Sequence, residues 1–394
     1  MAIKKKKIVI IGIAGLGNML LFMPVLENIR RQYPFSKITL LTFQLEGDHW
    51  LVESDLVDDV MFFHWFKYKD VPTKEKILMS IQMVKAIVSL RLSRFDISIW
   101  PCVVNTSIKM EILSALIGAK MRLLHSGNLP ILNHLVFMPP RTHLVVHNIN
   151  LFRVINNEVT LPEEIRLPIQ KEEIDMGKKT LDSLGIGNEC TIIGFQPGGN
   201  RTIDPYRQWQ PEKFATLGDR FCGTIKGKVK IFLFGSRSEK PLLDSIAAQA
   251  KHEFHVISDL SLREVAALIS HFDLFIANDS GLMHLASAVG TRVLGILGLT
   301  DPQMTGPWGS RTHVIRMELP CSPCYVEGYQ KHCLHHACLN ELSADDVFSV
   351  ALGLLKGDKN GSNTQKVYNI EKPEILPLAF QALSDPKRKN KDKQ

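Results

Sequence analysis

Residues 275–309, FIANDSGLMHLASAVGTRVLGILGLTDPQMTGPWG, decide the fold. Leu274–Ala277 reads as a short apolar strand, and Asn278-Asp279-Ser280-Gly281 as a polar turn. A helix over Leu282–Val289, a second apolar strand over Arg292–Gly298 and a Gly/Pro-rich loop follow. A strand, a helix and a strand at this spacing make one unit of a parallel sheet. The turn leaves the strand's carboxyl end and opens straight into the helix. Unpaired backbone N–H groups and the positive end of the helix dipole therefore converge on one spot, which suits a phosphate. His284 lies one helical turn beyond Ser280, on the face nearest that spot. Taken singly, Asp279 and Ser280 are ordinary N-cap residues, and Gly290-Thr291 is an ordinary helix stop. The weight lies in the ordered set D-S-G-x-x-H-L-A, G-L-T-D-P and G-P-W-G.

Outward from this stretch the same alternation recurs. Strands are expected at Ile8–Gly12, Ile38–Phe43 and Phe95–Trp100, and again at Thr191–Gln196, Val229–Gly235 and Phe254–Ile257. Helices are expected at Met19–Arg31, with Asn18 as N-cap and Pro24 inside, and at Glu75–Arg91, Pro211–Phe221, Glu239–Lys251 and Ser261–Ser270. This predicts an α/β protein with two Rossmann-like domains, residues 1–170 and 171–355. A C-terminal extension, 356–394, ends in the basic run SDPKRKNKDKQ, for which disorder is expected.

Two further segments join the stretch 275–309. One is Gln196-Pro197-Gly198-Gly199 followed by Arg207-Gln208-Trp209 and Glu212-Lys213-Phe214. The other is Gly15-Leu16-Gly17-Asn18-Met19-Leu20-Leu21 with Pro24-Val25-Leu26. Together these closely resemble the family 9 glycosyltransferases, the ADP-heptose:lipopolysaccharide heptosyltransferases, over roughly residues 8–355. The resemblance implies the GT-B fold, two parallel sheets facing across a substrate cleft. It also implies inverting transfer of heptose from ADP-heptose to a lipopolysaccharide core or a related cell-surface glycan. The N-terminal domain would take the glycolipid or oligosaccharide acceptor, and the C-terminal domain the nucleotide sugar.

On the donor side, the resemblance assigns Gly198, Gly199, Asn200, Arg207, Asp279, Ser280, Gly281, Leu282 and His284. Fixed amides at Asp279–Leu282 and the Arg207 guanidinium would hold the departing diphosphate without a metal, so no cofactor is required for catalysis. Arg207 stands where the family usually has Lys, which exchanges a point charge for a fork. Asp279 would contact donor hydroxyls.

On the acceptor side stand Gly15, Gly17 and Asn18. The family usually has Asp where this chain has Asn18, and that Asp is the expected general base. An amide cannot take up the proton. Three readings stay open: Asn18 orients the acceptor while Glu46, Asp48 or Asp96 accepts the proton; a late proton transfer needs little base strength; or the chain is a silent sugar-nucleotide-binding protein. The same chemistry with another nucleotide sugar and acceptor is a further alternative. Gly12, Gly15 and Gly17 do not form the dinucleotide fingerprint, and Phe43-Gln44 offers no acidic ribose ligand, which disfavours an NAD enzyme.

The chain has 47 Lys and Arg against 40 Asp and Glu, a net charge of +7. This favours an anionic partner, a nucleotide or an anionic membrane surface. No motif points to nucleic acid. There is no uncharged run of 18 apolar residues, and the start reads as a strand rather than a signal peptide. A cytoplasmic protein is expected, peripheral at the inner face of the membrane. The run 61–69, MFFHWFKYK, with Lys74 and Lys76, is either a lipid-facing surface or a buried edge with a solvated rim. Of seven cysteines, Cys321, Cys324, Cys333 and Cys338 cluster with His332, His335 and His336 interleaved. They suit either structural zinc or a reduced, packed cluster.

Overall fold

The computed structural model describes residues 5–12, 15–42, 51, 55–62, 73–101, 108–125, 135–136, 141–199, 207–324, 333, 336–357 and 366–370. The chain divides into two compact units, Met1–Ile169 and Gln170–Gln394.

The first unit is built on six parallel strands: β1 (Lys7–Gly12), β2 (Lys37–Thr42), β3 (Asp59–Phe62), β4 (Ile97–Ile99), β5 (Met121–His125) and β6 (Leu135–Val136). Their order is β3-β2-β1-β4-β5-β6. Centrality explains the sequence of β1. With partners on both edges and helices on both faces, KIVIIG is apolar after its first residue and buried throughout that run. Val9, Ile11, Phe95, Trp100, Leu113 and Ile117 form one core cluster.

The first helix runs Leu16–Gln32, which corrects the expected start at Met19. Gly15 is the N-cap, and its carbonyl accepts from the N–H groups of Asn18 and Met19 at 3.0 and 3.2 Å. Leu16 and Gly17 already belong to the first turn. Asn18 is therefore a helical residue within that turn, and the expected capping role is lost. The helix continues through Pro24, whose carbonyl accepts from Asn28 Nδ2 at 2.7 Å.

The second unit repeats the plan with β7 (Cys190–Gln196), β8 (Lys228–Phe234), β9 (Phe254–Ile257), β10 (Leu274–Asn278), β11 (Val293–Ile296), β12 (Thr312–Met317) and β13 (Lys366–Ile370). The order is β13-β12-β11-β10-β7-β8-β9, parallel at every pairing. The sheet thus reaches past residue 355 and takes its last strand from the extension. Phe195, Trp209, Phe214, Phe221 and Phe254 supply the aromatic part of its core. Gly194 is required in β7, because a Cβ there would stand 2.5 Å from the Phe275 ring.

In each sheet the strand order reverses between the first and fourth strands, β1/β4 and β7/β10. A crevice opens at the carboxyl ends of such a pair, where open α/β sheets bind ligands.

Candidate functional site

The stretch that decides the fold also builds the crevice at β7/β10. β10 ends in Asn278, fully buried, whose amide fastens three segments. Its Nδ2 donates to the carbonyls of Pro197 at 2.8 Å and Gly198 at 3.3 Å, and its Oδ1 accepts from the Trp209 N–H at 3.0 Å. The loop after β7 and the segment entering the helix Pro211–Thr224 are thereby held against the end of β10. Trp209 is locked in turn by its indole N–H, which donates to the Leu342 carbonyl at 2.9 Å.

Asp279 is buried, and its Oδ2 accepts from Arg207 Nη1 at 2.9 Å and Thr300 Oγ1 at 2.8 Å. Three parts of the sequence motif therefore meet at one carboxylate oxygen. Ser280 occupies the N-cap position of the helix Gly281–Ala288, yet it makes no capping bond. Its hydroxyl donates to Gln196 Oε1 at 2.7 Å, across to the end of β7. No acidic residue stands in the first helical turn. The helix amides are left facing the crevice, and the N-cap reading of Asp279 and Ser280 is replaced by cross-strand bonds. At its other end the helix stops as expected. Gly290 adopts φ +83°, and the N–H groups of Gly290 and Thr291 return to the Ser287 and Ala286 carbonyls at 3.0 and 3.1 Å.

His284 is enclosed. Burial lowers its pKa from 6.5 to about 4, so the imidazole is neutral at physiological pH, and Nδ1 has no hydrogen-bond partner among the described residues. It is a hydrogen-bonding group rather than a cation. Gly199 donates its N–H to Glu239 Oε1 at 2.9 Å, and a Cβ on Gly198 would stand 2.1 Å from that same oxygen. A carboxylate therefore rests against the loop after β7. Asn200 lies outside the described residues. A separate cavity of about 670 Å³ opens at the amino ends of β7, β10 and β11, lined by Thr191, Asp273 and Arg292. That is the opposite end of the sheet from the crevice.

In the first unit, Gly15, Gly17 and Asn18 all lie at or inside the start of the helix Leu16–Gln32, beyond the carboxyl end of β1. Gly15 is exposed, and Gly17 and Asn18 are half-buried. Asp96 is not with them. It precedes β4, at the amino end of the sheet, where Oδ2 accepts from the Lys7 N–H at 2.9 Å and Oδ1 pairs with Lys120 Nζ at 2.7 Å. Those bonds hold its carboxyl below the usual carboxylate range, first through Lys120 and then through the Lys7 amide. Asp96 is thus excluded as a proton acceptor at the strand carboxyl ends. Glu46 and Asp48 lie outside the described residues.

The sequence profile of glycosyltransferase family 9 (heptosyltransferase) matches residues 84–335. The chain belongs to that family. Among curated relatives, lipooligosaccharide heptosyltransferase 2 of Campylobacter jejuni is 28% identical over 186 residues, 45% of this chain and 55% of its own. Lipopolysaccharide heptosyltransferase 3 of Escherichia coli K12 is 24% identical over 365 residues, 87% of this chain and 96% of its own. Matches to four heptosyltransferase 2 relatives span about half of their length, from 42% to 55%. The solved structure of the Escherichia coli ADP-heptose lipopolysaccharide heptosyltransferase II superposes with a TM-score of 0.67. It shares 20% sequence identity, over 90% of this chain and 99% of its own. The two-sheet α/β fold is that of the GT-B heptosyltransferases.

Within this family 9 chain, three crevice residues escaped the sequence reading. Thr300 stands inside the quoted G-L-T-D-P motif, but nothing in the sequence couples it to Asp279. Gln196 and Asn278 are strand-end amides whose partners are 84 and 81 residues away. Cys338 belongs to the core beside Leu339, with Cys321 against it, and burial, then Cys324, Cys333 and Cys321, push its thiol up to about 12. Among the described residues no three His, Cys, Asp or Glu side chains are placed to hold a metal ion. His332 and His335 lie outside the described residues, as does most of the aromatic run 61–69. No helix among the described residues is long and apolar enough to cross a membrane.

Proposed function

We propose that this chain transfers heptose from ADP-heptose to the inner core of lipopolysaccharide or a related cell-surface glycan, with inversion. The observation that supports it is the uncapped start of the helix Gly281–Ala288, set beside the Arg207–Asp279–Thr300 cluster at the β7/β10 switch point. A helix N-terminus and a guanidinium are complementary to a diphosphate whose charge grows as it leaves. The guanidinium fork can grip Asp279 and a phosphate together. Asp279 and the neutral His284 would hydrogen-bond donor oxygens.

In the reaction the acceptor oxygen bonds to C1 of the sugar as the C1–phosphate oxygen bond breaks. The acceptor hydroxyl's proton passes to solvent water as that bond advances, and the diphosphate departs with the bonding electron pair. Asn18 orients this hydroxyl in the first unit. The relatives' names and the ADP-heptose enzyme of the same fold support the donor and acceptor. For the thiols, a reduced packed cluster is the reading, since Cys338 is integral to the core. One zinc per chain by elemental analysis would overturn it.

Calorimetric titration with ADP, UDP and GDP, then with the corresponding sugar nucleotides, tests the donor. Selective binding of ADP and ADP-heptose supports the assignment. Binding of none of them, or a uridine or guanine preference, overturns it.

A further inference from the structure

The helix Thr73–Leu92 of the first unit is apolar on two opposite faces. Met83, Ala86, Ile87 and Leu90 pack into the core. On the other side Ile81, Val84, Val88 and Leu92 are exposed, Leu92 at 73%. At 100° per residue those four fall within an arc of about 80°. An ordinary surface helix has one apolar stripe and a polar outer face. Here the outer face is apolar as well. The helix Ile108–Ile117 repeats the pattern, burying Leu113 and Ile117 while exposing Ile112 and Leu116. Arg91 Nη1 donates to the Leu116 carbonyl at 3.2 Å, tying the two helices together near their ends. Six large apolar side chains therefore line neighbouring helices and stay exposed among the described residues, the mark of an interaction surface.

Charge selects the partner. Residues 76–95 contain no Asp or Glu but do contain Lys76, Lys85, Arg91 and Arg94. Lys85 and Arg91 border the outer stripe, and Arg94 follows it; all three are exposed. Among the described residues, the ion pairs of this unit involve Arg30, Lys37, Lys120 and Arg166 instead. In a two-fold contact with a second copy, the same cations would face one another. An anionic bilayer supplies what both features need: apolar depth for the stripe and negative headgroups for its rim.

We propose that the outer faces of the helices Thr73–Leu92 and Ile108–Ile117 dock this chain on an anionic lipid surface. This deepens the proposed function and rests on it for its purpose, since a lipid-borne acceptor is met at that surface.

The test is flotation of the full-length protein with vesicles of phosphatidylcholine alone or with about 30% phosphatidylglycerol, with no sugar substrate present. Wild type should partition about tenfold better onto the anionic vesicles. The pair Val84→Asp and Val88→Asp should lower partitioning about tenfold. The pair Lys85→Glu and Arg94→Glu should abolish the preference for anionic lipid. Circular dichroism and ADP titration of the same variants report folding and donor binding, so failure of the donor reading is seen separately. Wild-type flotation by the aspartate pair overturns the proposal and assigns binding to the basic termini. A wild type that ignores vesicles, or a dimer that the aspartate pair dissociates, overturns it too.

Discussion

The two units share a strand order and part company at the carboxyl ends of their first and fourth strands. In the second unit those strands end in Gln196 and Asn278, and both amides bond across the crevice, to Ser280 and to the loop and segment opposite. In the first unit they end in Gly12 and Ile99. The next residue there, Trp100, is buried with an indole N–H that has no partner among the described residues. The topology therefore opens two crevices, and among the described residues side-chain bonds fasten one of them. A fold provides the place; particular polar residues make it a site.

Breaking the fastener should give the largest effect. Asn278→Leu strands the Trp209 N–H and two carbonyls in the interior and should cost about 3 kcal/mol in denaturant unfolding, with ADP binding lost. If stability is unchanged, the crevice is held by topology alone and the contrast between units fails. Arg207→Ala sharpens the contrast by separating grip from framework. It should lower kcat/KM for the donor about 100-fold with a smaller loss of stability than Asn278→Leu, and Arg207→Lys should recover part of both. On the less fastened side, Asn18→Ala should raise the acceptor KM about tenfold and leave the donor KM unchanged. A rise in donor KM instead would remove Asn18 from the acceptor side.

His284 gives the smallest effect at neutral pH and the most specific one in acid. Its pKa is about 4 in the folded chain against 6.5 for an exposed imidazole. As pH falls the unfolded chain takes up the proton first. The stability contributed by the neutral imidazole is whole above pH 6.5 and is lost toward pH 4, at up to about 1.4 kcal/mol per unit. Unfolding of His284→Gln between pH 7.5 and 4.5 should show a shallower decline than wild type. Parallel curves would mean that His284 titrates normally.

How legible was this in the sequence? The segment 275–309 was legible because apolar runs, a polar turn and Gly290 punctuate it at βαβ spacing, each for a local reason. The helix start at Leu16 was misread because Asn18, a common N-cap type, drew the boundary past Leu16 and Gly17, which helices accept. Asp96 is a different failure. Its place at the start of a strand in a parallel sheet already sets it away from the strand carboxyl ends. The Asn278 hub was out of reach, since a buried amide looks the same in sequence as a turn residue. The outer face of the helix Thr73–Leu92 was hidden for a related reason: spacing alone does not say which of two apolar faces is covered.

β13 has a consequence for the newborn chain. Until Lys366–Ile370 arrive, the outer edge of β12 presents a row of unpaired backbone groups beside the buried Val314 and Ile315. Residues 318–365 separate the two strands, an interval of roughly several seconds at ordinary rates of synthesis. During that time the sheet is open to pairing with a neighbouring nascent chain. A protein cut before residue 366 would keep that edge open for life and should be prone to aggregate, although every residue of the crevice is intact.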